Sequence, residues 1–509
     1  MPLRSPQLIV ASVFACLLLW LTFGTGKLRS PNSASTKGTT SPPESSDELP
    51  LPSILSGSHL EGHDGIVNLT DPNIGMAKIH IAVSQTDVPQ LPIMQLLDIE
   101  LPALTQIMVT DDLSDPNVKQ AVPVSTNIQV PGLPAAQPDA SAFLFGVATT
   151  YERLESSLDS FAHWLGGSNA RLIATLAPSL DPEAPDRVLR KAAALNIPLG
   201  TVESGLEFLD RYFSMLRVLH ENRTPETKWY VFIDDDTFFL DLQNLISTFH
   251  KMYDPVDPWY IGSLSEDFQQ MARWGYMAYG GGGIFLSATL LEQLLPHYDA
   301  CFRHRNTGDR MLAECIYQHT TTKFTWQHNL HQLDLHGDHS GFYEALRPQP
   351  LSVHHWKSEN FEFQHDMHNL SFVARICGNA CLLQKFKLKD DWILTNGFSL
   401  VKYSNVDTRY RDIGTDISME RTWNFIYGGT SNVQFEYSLG PIRKPDEGEK
   451  QTYRMESAIA EEDGRVRQLY VKRRKRVQML DGVEVETVNK EEVEAVVEIT
   501  WSTAGGVAP

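Results

Sequence analysis

Residues Trp229 to Leu240 read WYVFIDDDTFFL, and the fold hinges on how that stretch is taken. Trp229 to Ile233 is a short, unbroken apolar run of aromatic and β-branched residues. That is the character of a strand buried on both faces. Asp234, Asp235 and Asp236 follow without a break. Adjacent carboxylates at a strand end repel one another and are costly to desolvate unless a cation joins them. A bare acidic turn in solvent is the plain alternative; the strand in front of it favours a divalent-metal site. Oxygen ligands suit Mg²⁺, Ca²⁺ or Mn²⁺, and an added imidazole tilts the choice towards Mn²⁺. An ion held this way can bridge two phosphates and stabilise a departing diphosphate, as in a nucleotide-sugar.

Upstream, Phe143 to Ala148 (FLFGVA) and Arg171 to Leu176 (RLIATL) are strand-like. Thr149 and Glu152 have capping-box spacing, and Leu154, Leu158, Phe161 and Leu165 recur on one helical face. Leu206, Leu209, Phe213, Leu216 and Leu219 mark another amphipathic helix. Strands alternating with helices predict a mostly parallel sheet, whose ligands collect at the carboxyl ends of the strands.

Downstream, Tyr279 to Ser287 (YGGGGIFLS) joins a glycine run to an apolar segment, so backbone can approach a ligand closely at Gly281, Gly282 and Gly283. Asp309, in Thr307-Gly308-Asp309-Arg310, opens a helix-like stretch. An acidic residue there is often a cap, but it can also be a general base. His328 and His331 have the spacing of a zinc pair without an HExxH motif. The doublet His354-His355, in the strand-like run LSVHHW, is the better ligand candidate.

Taken in order, WYVFIDDDTFFL, YGGGGIFLS, TGDRMLAECI, QLDLHGDHSGFYEA and PLSVHHW resemble Fringe-like glycosyltransferases, most closely the Fringe-related branch of plants and fungi. The resemblance covers roughly residues 141 to 390, about half the chain. It implies an α/β, GT-A-like (Rossmann-like) catalytic domain, a UDP-sugar donor, Mn²⁺ with Mg²⁺ as the other possibility, and inverting transfer that usually makes a β1,3 linkage. By motif, Asp236 is the main metal carboxylate, with Asp234 beside it; Asp234 and Asp235 lie nearer the nucleotide. His355 is the metal-binding histidine, with His354 the runner-up, and Gly281 to Gly283 lie against the donor sugar or acceptor. Asp309 matches the catalytic base, although the family commonly has a second acid where this chain has Gly308. A metal-dependent phosphohydrolase and a non-catalytic carbohydrate-binding relative are the competing readings.

Outside that core, Leu8 to Phe23 is almost wholly apolar, between Arg4 and Lys27. It predicts an uncleaved signal-anchor over 1–26, with a cleaved signal peptide as the competitor. The expectation is a single-pass type II protein of the Golgi membrane with its bulk in the lumen. A Ser/Thr/Pro-rich stem follows over 27–74, then a partly ordered extension over 75–140. Sequons at Asn68, Asn222 and Asn369 fit a luminal chain. Cys16 lies in the apolar segment, leaving Cys301, Cys315, Cys377 and Cys381, and nearness in sequence favours pairing 301 with 315 and 377 with 381. Residues 391–509 carry a β pattern, with an Asn396-Gly397 hairpin signal and a basic run, Lys472 to Arg476, read as a solvated edge strand. The 43 Lys+Arg against 63 Asp+Glu give a net charge of −20, which disfavours a nucleic-acid backbone as partner.

Overall fold

The strand Trp229–Ile233 sits at the middle of a seven-stranded sheet. A computed structural model describes residues 74–88, 90–107, 121–134, 136–302, 307–357, 365–403, 419–424, 435–436, 438–444, 450–480 and 483–505. In the sheet's parallel half, the strands Phe143–Thr149, Arg171–Leu176, Leu199–Glu203 and Trp229–Ile233 lie in the spatial order 3-2-1-4 of their place in the chain. The order therefore reverses between Phe143–Thr149 and Trp229–Ile233, and a crevice at that switch point is where such sheets bind ligands. Their carboxyl ends are level, since Val147 pairs with Ile233. On the far side Ile284–Ser287 runs antiparallel to Trp229–Ile233.

The two-residue period of a strand divides its side chains between two cores. Trp229, Val231 and Ile233 pack with the helices Tyr151–Leu165 and Leu242–Met252. Tyr230 and Phe232 pack with Phe208–Glu221 and Gly308–His319. Both faces are covered, which explains why the strand reads as an unbroken apolar run. The first helix starts one residue later than the capping-box spacing predicts. Thr150 is the N-cap and accepts from the Arg153 N–H, whereas Thr149 ends the strand. In Phe208–Glu221 the apolar pattern is split: Phe213, Leu216 and Leu219 are buried, while Leu206 and Leu209 are exposed at its start.

A second, ten-stranded sheet takes in most of the predicted β-rich C-terminal region, and more. The span 75–140, expected as a partly ordered extension, contributes the strand Ile74–Thr86 to it, parallel to Val483–Thr503 from Gly75↔Ala495 to Val83↔Thr503. Ile79, Ile81 and Val83 are buried there. The hairpin at Asn396-Gly397 forms between Trp392–Thr395 and Ser399–Lys402, with Gly397 at φ 76°. The basic run lies on Val466–Leu480, whose pairing with Gln451–Ala460 ends at Arg454↔Val471 while that with Val483–Thr503 continues to Leu480↔Val483. Lys472 meets Glu494 at 2.7 Å.

The expected anchor, the stem and the Asn68 sequon lie outside the described residues. Among the described residues no helix is long and apolar enough to cross a membrane.

Candidate metal centre

The acidic run is a tight turn at the switch point. Thr237 closes it: its hydroxyl accepts from the Asp234 N–H at 2.9 Å and donates to the Gly281 carbonyl at 2.8 Å. The strand Ser352–Val353 pairs with Phe238–Phe239 and delivers the two histidines to the same place. Asp236, His354 and His355 offer ligand atoms within 4.8 Å of one another, the one such group found among the described residues.

His354 is the better held of the two histidines. Its Nδ1 donates to the Gln332 carbonyl at 3.0 Å, an acceptor only, so Nε2 is the nitrogen that faces the acids. Nε2 lies 2.9 Å from Asp236 and 3.4 Å from Asp234. Burial works against charge on His354, but the Asp236 and Asp234 carboxylates outweigh it and hold the imidazolium well above the usual histidine range. Burial likewise pushes Asp236 up, yet His354, His355 and Lys357 together hold it well below the usual carboxylate range. A metal ion bound there would take the place of that Nε2 proton. One carboxylate and two imidazoles fit Mn²⁺ better than Mg²⁺, which prefers an all-oxygen shell. The expected set of Asp236, His355 and Asp234 is thus altered: His354 joins it, and Asp234 faces His354 from outside the group. His355, at φ 55°, is oriented by a 3.0 Å hydrogen bond from Nε2 to Asp334.

Asp235, expected beside a nucleotide, has other work. Its carboxylate accepts from Arg153 Nε at 2.6 Å, from a second guanidinium N–H and from the Thr149 hydroxyl. It ties the acidic turn to the neighbouring strand and helix. The glycine run is also used internally. Gly282 donates its N–H to Gln332 and accepts the Ser352 hydroxyl. A Cβ on Gly281 would lie 2.1 Å from His354 Cε1, so that residue must be glycine for the ring to sit where it does. Gly283, at φ 96°, leads into the strand Ile284–Ser287. Gly281→Ala is therefore expected to displace His354, cost about 1–3 kcal/mol of stability and weaken Mn²⁺ binding at least ~10-fold. Thermal melts and Mn²⁺ titration followed by electron paramagnetic resonance would check it; unchanged affinity would contradict it.

Asp309 opens the helix Gly308–His319, and its Oδ1 accepts from the Arg310 N–H at 2.8 Å. Burial pushes its carboxyl up to about 6, with repulsion from Asp234 adding to it against hydrogen bonds from Thr307, Arg310 and Gly280. The glycine before it has a steric cause: a Cβ at Gly308 would lie 2.6 Å from the Tyr212 ring. A second acid cannot stand there beside Tyr212.

Two further acids, Asp334 beside His355 and Glu266 beside His331, were not singled out from the sequence. Glu266 is buried, and its Oε1 lies 3.3 Å from His331 Nδ1. Burial and the charge of Asp334 push Glu266 up to about 8, while burial and Arg347 push His331 down to about 3. The pair is therefore a neutral carboxylic acid and a neutral imidazole. The folded chain keeps the Glu266 proton up to about pH 8, whereas the unfolded chain releases it near 4.5. Stability should fall by up to a few kcal/mol between those values, and Glu266→Gln should flatten the decline. Denaturant titrations at a series of pH values would show it.

Of the remaining expected residues, His328 and His331 do not form a metal pair: His328 stacks on Trp326, with ring centroids 3.8 Å apart. Cys301 meets Cys315 and Cys377 meets Cys381, with Cα separations of 5.4 and 5.9 Å. Asn222 ends the helix Phe208–Glu221 and donates its side-chain amide to the Val218 carbonyl; Asn369 lies half-buried in Met367–Ser371.

A family model described as "Protein of unknown function, DUF604" matches residues 269–500. Chondroitin sulfate synthase 3 from Homo sapiens is 19% identical over 182 residues, 31% of this chain and 20% of its own length. The Mus musculus protein matches to the same extent. The chain thus spans about a fifth of the length of these relatives. Among solved structures, the galactosyltransferase LgtC with donor and acceptor sugar analogues is 9% identical, covering 43% of this chain and 90% of that one, at a TM-score of 0.28. Mouse xyloside xylosyltransferase 1 is 12% identical, covering 36% of this chain and 84% of that one, at 0.25.

Proposed function

We propose that the protein is a metal-dependent, inverting glycosyltransferase with a GT-A-type catalytic unit, moving a sugar from a UDP-sugar to a hydroxyl of a glycan or glycoprotein in a β1,3 linkage. One observation carries this reading. Asp236, His354 and His355 converge at the switch point of a sheet in Rossmann order, with the raised-pKa carboxyl of Asp309 near enough to Asp234 to feel its charge. The distant similarity to chondroitin sulfate synthase 3 supports a glycan product.

Mn²⁺, when bound by Asp236, His354 and His355, would stabilise the negative charge on the departing diphosphate. Asp334 fixes the His355 ring and the Gln332 carbonyl fixes the proton on His354 Nδ1. Arg153 and Lys357 keep positive charge beside Asp235 and Asp236, where a diphosphate would dock. Asp309, as carboxylate, accepts the proton of the attacking acceptor hydroxyl. That oxygen bonds to the anomeric carbon as the bond to the phosphate oxygen breaks on the opposite face, which inverts the configuration. The apolar segment Leu8 to Phe23 and the sequons support a type II Golgi location with this unit in the lumen.

The test is UDP release from UDP-glucose, UDP-galactose, UDP-GlcNAc and UDP-GalNAc with Mn²⁺. One donor should turn over, stop on addition of EDTA and resume with excess Mn²⁺. Turnover of phosphate monoesters with none of the four donors would support a phosphohydrolase instead.

A further inference from the structure

A cavity of about 620 Å³, whose lining includes none of the three acids of the turn, is bordered by the start of the helix Leu242–Met252, by Asn329 and His331, by the loop around Arg347, and by Lys385 of the second sheet. Its size is ordinary for a small-molecule site. Its charge is the informative feature. Asp241 is the one carboxylate among its lining residues, and it is engaged in capping that helix through the Gln243 and Asn244 N–H groups. Two basic side chains, Arg347 and Lys385, line the cavity. Nη1 of Arg347 is buried with no hydrogen-bond partner among the described residues. Lys385 is buried, and its Nζ donates to the carbonyls of Tyr343 and Leu383 at 2.6 and 2.9 Å. Burial pushes this ammonium down to about 7 against the attraction of Glu344, which is itself bound to Lys450. Amides such as Asn244 and Asn329, with the flat ring of Phe342, complete the walls.

We propose that this cavity is a second ligand site, separate from the metal group, that holds the carboxylate-bearing unit of an acidic saccharide. A guanidinium fork matches a carboxylate, amides match ring hydroxyls, and the aromatic ring covers an apolar sugar face. The site also adjoins the metal centre. The His331 N–H donates to the Ser352 carbonyl at 3.2 Å, and Ser352 lies two residues before His354 on the same extended segment. A role as part of the acceptor site rests on the transferase reading; the binding itself does not.

The experiment is calorimetric titration of the full chain with a disaccharide ending in glucuronic acid, and with its glucose-ended counterpart. The acidic probe should bind at least about tenfold more tightly. Arg347→Gln should erase that difference, Arg347→Lys should restore part of it, and EDTA should leave it unchanged. Arg347 is partly exposed, so its variants are expected to fold, and thermal melts verify this. Asn244→Ala, at another lining residue, should weaken both probes. Equal affinity for the two probes, an unaltered Arg347→Gln variant, or binding lost with EDTA would overturn the proposal. Absence of donor turnover in the assay above would leave this binding result standing.

Discussion

Asp236→Asn is expected to lower Mn²⁺-dependent transfer by about 10³-fold or more, because it removes the only carboxylate of the Asp236, His354 and His355 group. The side chain is buried, not solvent-facing as its place in an acidic turn implies, so an effect on folding has to be separated from the effect on chemistry. Breaking a buried ion pair costs about 3–5 kcal/mol when it strands a charge. Here Asp234 remains 3.4 Å from His354 Nε2, and the imidazole can give up its proton. The loss of stability should therefore stay under about 3 kcal/mol. A folded variant that has lost both Mn²⁺ affinity and turnover is the expected outcome; a folded variant that keeps them would remove Asp236 from the metal site.

The second large effect falls on Asp309. As general base it must be ionised, and its carboxyl is pushed up to about 6. Turnover should rise with pH through about 6 and level off above it. Asp309→Asn should cut kcat by about 10²–10⁴-fold with KM little changed, and the acid limb of the profile should vanish. Stability should move the other way. A carboxyl with a raised folded-state pKa costs stability wherever it is ionised, so at pH 7.5 the asparagine variant should be more stable by on the order of 1–3 kcal/mol. A residue serving only as a helix cap would lose stability on this change. Loss of kcat together with a higher Tm separates the two roles. A kcat close to that of the wild type would rule out Asp309 as the base.

How much of this was legible in the sequence depends on how far apart the partners lie. The strand Trp229–Ile233 and the helix Tyr151–Leu165 announce themselves through local periodicity, and the hairpin at Asn396-Gly397 through local turn chemistry. The strand Ile74–Thr86 does not, because its partner Val483–Thr503 lies at the other end of the chain. Lys78 to Val83 (KIHIAV) alternate as a strand does, but nothing near them in the sequence supplies their partner. The same division runs through the site. Asp236 and the His354-His355 doublet stand out by residue type and neighbours. Their ranking does not, since it is the Gln332 carbonyl and the small Gly281 that seat His354 against Asp236. Thr149 has the spacing of a cap, yet its hydroxyl goes to Asp235, an interaction across neighbouring strands. No local pattern marks Glu266 as the partner of His331; burial and a 3.3 Å contact define that pair.

The claim on which the rest depends is that one divalent ion is held by Asp236, His354 and His355, with a diphosphate on its open side. Crystals of the protein soaked in MnCl₂ and UDP, measured at the manganese absorption edge, test it directly. The expected result is one anomalous peak bounded by those three side chains, with the UDP phosphates in contact with it. A peak elsewhere, or UDP bound with no manganese beside its phosphates, would contradict it.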